Sequence, residues 1–271
     1  MDPLDCQLTH TPAPAPRAAY VNSPVIARPA PVDLQETPGA QTRRWNRALR
    51  LCLRLYAATC VRQLSVRYQA PLPSGPAIIA LNHANVTDVF LLPSIFPGDI
   101  CCLAQANLFD IPIIGQVLRR AGQLPVVRGQ PAALLEAAAH RLRHGYSIAV
   151  CPEGRLNHGG PLHRAGVGTV RLALHTGYPI VPVGFYVAER HAQVIRATVD
   201  GRATHGRWQV GGACHVAIGR PWWPRPDWLR RDWPWPMADG DGNYRLLRRL
   251  TDQLMLEIAA LVRQAETSAA E

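Results

Sequence analysis

Lysine is absent from this chain of 271 residues; all 29 of its basic side chains are arginine. A phosphate-loop lysine is thereby excluded, and so is a lysine that forms a Schiff base with pyridoxal phosphate. Any anion has to be held by arginine, histidine or backbone N–H groups. Long apolar runs are missing too: nothing approaches the roughly 18 residues that a membrane-crossing helix needs. The amino terminus lacks the basic-then-apolar pattern of a secretory signal. Cysteine is sparse, with seven residues and no C-x-x-C. A disulfide framework or zinc cluster is therefore not expected, and a reducing compartment is. Asn85-Val86-Thr87 spells a glycosylation sequon, which without an export signal reads as chance. There is no G-x-S-x-G elbow and no H-E-x-x-H pair, so neither an enzyme-borne serine nucleophile nor a bound metal is expected. Acidic residues number only 19, leaving a net charge of +10. Such a balance suits a polyanionic partner, either nucleic acid or an anionic membrane surface.

What is present is enough apolar sequence, 48%, for a sizeable core. Residues 1–40 are rich in proline and alanine and read as a disordered tail. A helix is expected within 41–69, and a single α/β unit over 70–271. In that unit strands near 77–81, 100–104, 124–127, 147–152, 178–188 and 213–221 alternate with helical stretches near 88–96, 112–121, 131–144, 166–176 and 243–265. Pro131 and Gly145 bracket the helix between them. This alternation predicts an α/β fold, a mainly parallel sheet flanked by helices, with its chemistry in the loops beyond the strand carboxyl ends.

Two basic stretches stand apart. On the amino-terminal helix Arg43, Arg47, Arg50 and Arg54 fall in one sector, and Trp45, Leu49, Cys52 and Tyr56 cluster opposite. No acidic residue lies between Thr42 and Gln69. That pattern suits either a solvated face on a packed helix or an amphipathic helix lying on anionic lipid. Trp222, Trp223, Trp228, Trp233 and Trp235 are interleaved with arginine and proline, a composition found at boundaries between apolar and wet surroundings. Stacking on single-stranded nucleic acid is the rival reading of that loop. No nucleic-acid-binding signature accompanies it, and no nucleic acid partner is expected.

His83 and Asp88 lie five residues apart in "NHANVTD", just beyond an apolar strand. A neutral imidazole can take a proton from a hydroxyl near neutral pH, and a carboxylate on its far nitrogen fixes the tautomer. The pair can meet only if His83 is on the turn before a helix and Asp88 in its first turn. With no enzyme nucleophile in view, the attacking group is a substrate hydroxyl. "PEGRLN" follows another strand, where Arg155 offers a planar fork suited to phosphate and Glu153 can hold that guanidinium or a substrate hydroxyl. A plain loop ion pair between Glu153 and Arg155 is the simpler alternative.

"NHANVTD" resembles the NHxxxxD motif of the glycerolipid acyltransferases that include the 1-acylglycerol-3-phosphate acyltransferases. "LFDIPIIGQVLRRAGQLPVVRG", "CPEGRLN" and "YPIVPVGF" are similar to that family's second, third and fourth blocks, in the same order across residues 76–187. The resemblance implies His83 as general base and Asp88 as its partner. It also implies that Arg128, Glu153, Gly154 and Arg155 shape an acceptor-phosphate pocket. The implied reaction is acyl transfer from acyl-CoA or acyl carrier protein to a lyso-lipid, with no metal and no redox cofactor. Its implied place is the cytoplasmic face of a membrane, held peripherally. Gln105 stands where the family often has lysine, and the third block is the shorter E-G-R form. The acceptor therefore stays open among lysophosphatidate, glycerol 3-phosphate, a larger lyso-phospholipid and a lyso-aminolipid of the ornithine-lipid type. A non-catalytic lipid- or nucleic-acid-binding protein is the reading from another class. For the acyl chain, "VFLLPSIF" and "LFDIPIIG" are the expected groove lining.

Overall fold

In chain order the elements are α1 (Ala40–Cys60), β1 (Gln63–Tyr68), β2 (Ile78–Leu81), α2 (Asp88–Ile95), β3 (Asp99–Gln105), α3 (Ile114–Arg120), β4 (Leu124–Val126) and α4 (Pro131–Arg143). They continue as β5 (Tyr146–Val150), α5 (Gly168–Thr176), β6 (Ile180–Val187), β7 (Ala192–Val199), β8 (Arg202–Gln209), β9 (Ala213–Ile218) and α6 (Asp241–Ala270). The structure is a computed structural model that describes residues 37–199, 202–224 and 241–271. Nearly all of the tail expected over 1–40, and Trp228, Trp233 and Trp235, lie outside the described residues.

Seven strands form one sheet in the order β1-β9-β6-β2-β5-β3-β4. All neighbours run parallel except β6 and β9. All four residues of β2 are buried because helices cover both faces, which is why it reads as a continuous apolar run rather than an alternation. Ile79 and Leu81 pack with Val181, Val183 and the α2 residues Leu91 and Leu92 on one face. Ile78 and Ala80 pack with Ile148, Val170, Leu254 and Ile258 on the other. Parallel β2, β3, β4 and β5 all deliver their following loops to one carboxyl edge. Outside this sheet, β7 and β8 pair as an antiparallel hairpin.

The amino-terminal helix differs from the sequence expectation in extent and orientation. It ends at Cys60, and 63–68 form strand β1 beside β9. Its arginine sector is only partly turned to solvent: Arg47 and Arg54 are exposed, whereas Arg43 and Arg50 are half-buried. Arg43 donates to the His144 carbonyl at 2.8 Å and pairs with Asp99 at 3.3 Å. Arg50 donates to the Gly98 carbonyl, and Arg54 to the Pro93 carbonyl at 2.8 Å. Buried Asn46 reaches the carbonyls of Ile100 and Ala121, each at 3.0 Å. Arginine fits here because its long fork caps carbonyls at the ends of neighbouring elements. Trp45 stacks under Arg120 and Tyr56 meets Phe90 edge-on, so these rings are half-buried packing rather than free wedges. Beside Arg47 and Arg54, the solvent face carries Arg44, Leu51 and Leu55. "VFLLPSIF" is core and not groove, since Leu91, Leu92, Ile95 and Phe96 are buried, and in "LFDIPIIG" Leu108, Ile113 and Ile114 stand exposed at the surface rather than lining a groove. Trp222 bridges to Ile180 and packs on the core, whereas Trp223 is exposed.

Candidate active site

The turn after β2 is clamped before it reaches His83. Asn82 behaves as a surrogate strand residue: its Nδ2 donates to the Phe185 carbonyl at 3.1 Å, and its Oδ1 accepts the Phe185 N–H at 2.7 Å. The His83 N–H donates to Glu153 Oε1 at 3.0 Å, and its carbonyl accepts the Asn157 N–H at 2.8 Å. Backbone on both sides of the imidazole is thus pinned to the segment that follows β5. The ring is half-buried, and its Nδ1 is buried without a hydrogen-bond partner. Burial pushes the His83 pKa below its ordinary 6.5; the Glu153 carboxylate and the Asn85 backbone oppose this, and His158 adds to it. The imidazole is therefore neutral near pH 7 and able to accept a proton.

Asp88 occupies the first turn of α2, where the sequence places it, and is fully buried. Its carboxylate does not bond His83. It accepts the Asn85 N–H at 2.7 Å and the Asn85 Nδ2 at 2.9 Å. A donor three residues upstream satisfies the carboxylate locally, which outcompetes the more distant ring. Burial pushes the Asp88 pKa up to about 7, against the bonds from Asn85 and Ala84 and the charge of Arg207.

Arg207 was not singled out by the sequence. It reaches the turn from β8, 122 residues away from Asn85 along the chain, and is buried. Its NH1 donates to Asn85 Oδ1 at 2.5 Å, and NH2 pairs with Glu189 at 2.7 Å. Val86 N–H donates to the Arg207 carbonyl at 2.8 Å, and Gln209 N–H to Thr87 Oγ1 at 3.2 Å. The hairpin therefore holds the turn from outside, through a chain Arg207–Asn85–Asp88. Strand β8 itself carries arginine and histidine among few apolar residues, so its local pattern does not signal a strand.

Glu153 is buried and faces neither Arg155 nor open solvent. Besides His83 N–H it accepts His163 N–H at 2.7 Å and Asn157 Nδ2 at 2.9 and 3.1 Å. The loop ion pair is not made, and the carboxylate is an internal anchor. Gly154 follows at φ +68°, a left-handed conformation that costs glycine little. Arg155 is exposed and its NH2 lies 3.3 Å from His163 Nδ1. Arg128 is exposed on the turn after β4, on the same edge but three strands from β2. The structure thus brings His83, Asp88 and Glu153 together, sets Gly154 and Arg155 at the rim, and leaves Arg128 apart. Beside the turn a cavity of about 370 Å³ is lined by Asn82, Ala84, Asn157, Gly159, Gly160 and Arg207, among others.

Residues 63–186 match the family model described as Acyltransferase. The chain is 30% identical over 111 residues to a 1-acyl-sn-glycerol-3-phosphate acyltransferase of Cocos nucifera, covering 40% of this chain and 36% of that protein. It is 30% identical over 142 residues to the one from Borreliella burgdorferi, covering 51% of this chain and 57% of that protein. The matched stretch therefore spans well under two thirds of either relative. Among solved structures, the 1-acyl-sn-glycerophosphate acyltransferase PlsC from Thermotoga maritima superposes with a TM-score of 0.54 at 18% identity, over 85% of this chain and 80% of that one. At that identity the likeness is one of fold.

Proposed function

From the match of residues 63–186 to the Acyltransferase family model we propose that this chain is a glycerolipid acyltransferase and acylates the free hydroxyl of a lysophosphatidate-type acceptor. The donor is a thioester of coenzyme A or acyl carrier protein. The observation that carries the reading is a neutral, half-buried imidazole pinned by its own backbone at the carboxyl edge of the sheet. His83 takes the proton of the acceptor hydroxyl as its oxygen attacks the thioester carbonyl carbon. The carbon–sulfur bond then breaks, and the proton passes from the imidazolium to the departing thiolate. Asp88, ionised, offsets the imidazolium charge through the turn it organises. The place of work is the cytoplasmic face of an anionic membrane, where both acceptor and product reside. The attachment in this reading is peripheral; among the described residues no helix is long and apolar enough to cross a membrane. Purified protein, a panel of lyso-lipids and a labelled acyl thioester test the reading. Label should enter lysophosphatidate faster than glycerol 3-phosphate or a lyso-aminolipid, and transfer to none of them would remove it.

Two variants probe the site. Arg155→Ala should raise the acceptor KM more than the donor KM, with poor rescue by Arg155→Lys, since a point charge does not replace a bidentate fork. Kinetics varying both substrates decide this, and equal effects would move Arg155 out of the acceptor pocket. Arg207→Gln should lower kcat by about 10–100-fold with little change in either KM, because it displaces the turn without touching substrate. Unchanged kcat in the folded variant would make the hairpin incidental to catalysis.

A further inference from the structure

Ile113 is 78% exposed, at φ +67° and ψ −59°, and the Ile114 N–H donates to the Pro112 carbonyl at 2.7 Å. This is a γ-turn of the rare, strained hand, centred on a β-branched residue that seldom tolerates positive φ. Exposure and strain here run against folding together: the side chain gains no burial, and the backbone is held in an unfavourable well. The turn is nonetheless fixed. Gly115 N–H donates to the Ile111 carbonyl at 2.8 Å, Val117 N–H to the Ile113 carbonyl at 2.9 Å, and Arg119 to the Phe109 carbonyl at 2.6 Å. A Cβ at Gly115 would overlap the Phe109 carbonyl, so glycine alone permits that close approach. A fixed, outward-facing isoleucine is a built feature.

The surroundings are of one kind. Leu108, Ile114, Val126 and Val127 are 38–49% exposed, on the loop after β3, the start of α3, the end of β4 and the turn that follows it. From Ala106 to Arg128 the one acidic residue is Asp110, against Arg119, Arg120 and Arg128. These loops share the carboxyl edge with His83. We propose that this edge, with Ile113 at its tip, is the surface that enters an anionic bilayer. The proposal rests on the lyso-lipid reading above and deepens it by naming the docking face. Apolar side chains sink to the headgroup boundary while Arg128, exposed on the turn after β4, meets lipid phosphates. Two copies meeting through this face would set like charges against each other, which disfavours self-association. With the edge at the interface, an acceptor can present its hydroxyl to His83 without leaving the lipid layer.

Ile113→Gly separates the possibilities because its expected effects have opposite signs. Glycine accepts the positive φ, so thermal stability should hold or rise, while co-sedimentation with phosphatidylglycerol-containing vesicles should weaken about tenfold. Val127→Glu should weaken it as well, and neutral phosphatidylcholine vesicles should bind the wild type poorly. Transfer to a vesicle-borne acceptor should fall in parallel, with transfer to a short-chain soluble acceptor unchanged. Vesicle binding by Ile113→Gly and Val127→Glu at the wild-type level overturns the proposal. So does a change in oligomeric state without a change in vesicle binding, which would make the face a contact between copies. Sedimentation is read without turnover, so a wild type inactive on every acceptor would sink the functional reading and leave docking to be judged on its own.

Discussion

His83→Ala is expected to lower turnover by about 10²–10⁴-fold, the range for a lost general base, in a protein that remains folded. No backbone bond of the turn depends on the ring: the clamp uses the His83 N–H and carbonyl. The loss should appear in kcat and leave both KM values near the wild type. A folded His83→Ala protein that transfers acyl groups at a near-normal rate would remove the mechanism. Asp88→Asn should also be severe, but through a different route than a direct bond to the ring. Its amide would turn an N–H toward one of the two Asn85 donors, loosening the turn that carries the imidazole. Because both changes strike one unit, the double variant should be little worse than His83→Ala alone.

The pH dependence separates the two groups. His83, held below 6.5 by burial, is already a free base at neutral pH. Asp88 is the group that titrates near about 7, and only its ionised form offsets an imidazolium. The rate should therefore rise through about pH 7, and Asp88→Asn should lack that limb. Stability moves the other way. With its folded pKa raised from the ordinary 3.8 to about 7, the native state keeps a proton that the unfolded chain has lost. Stability from this group is full below the unfolded value and falls as pH rises towards the folded one. Urea titrations at several pH values should show Asp88→Asn with a flatter profile across that window.

Much of this arrangement was legible because parallel strands under two helical layers must be apolar throughout. "AIIAL", "SIAV" and "YPIVPVGFYV" announce β2, β5 and β6 with little ambiguity. Once those strands alternate with helices, the carboxyl edge is fixed, and His83 and Glu153 fall on it. What failed had a physical cause each time. Strand β1 lies at the sheet edge with half its residues exposed, so its pattern merged with the end of α1. The β7–β8 hairpin lies outside the sheet, and its anchoring to the turn runs through Arg207 and main-chain bonds that leave no local period. The arginine stripe of α1 was visible, but its direction was not, because a guanidinium can cap a buried carbonyl as readily as it meets a lipid phosphate. The partner of Asp88 was hidden for a similar reason: Asn85 lies between it and His83 and has the donors to intervene.

Glu153 is the residue whose role the structure changes most, and its replacement should have the largest effect on stability. Its buried carboxylate gathers His83 N–H, His163 N–H and the Asn157 amide, tying both ends of the segment after β5 to the catalytic turn. Glu153→Ala leaves those donors without an acceptor in a region that water enters poorly. At about 1–3 kcal/mol for an orphaned buried donor, with partial relaxation, a loss of about 3 kcal/mol is expected. Turnover should fall about 10–100-fold as the His83 backbone shifts, with both KM values little changed. Glu153→Gln keeps the volume but sets an N–H against one of the donors, so it should lie between the two. Urea unfolding together with kinetics on both substrates measures each part. Had the carboxylate held Arg155 or a substrate hydroxyl instead, Glu153→Gln would keep the wild-type Tm and raise the acceptor KM. That outcome would return Glu153 to the acceptor pocket.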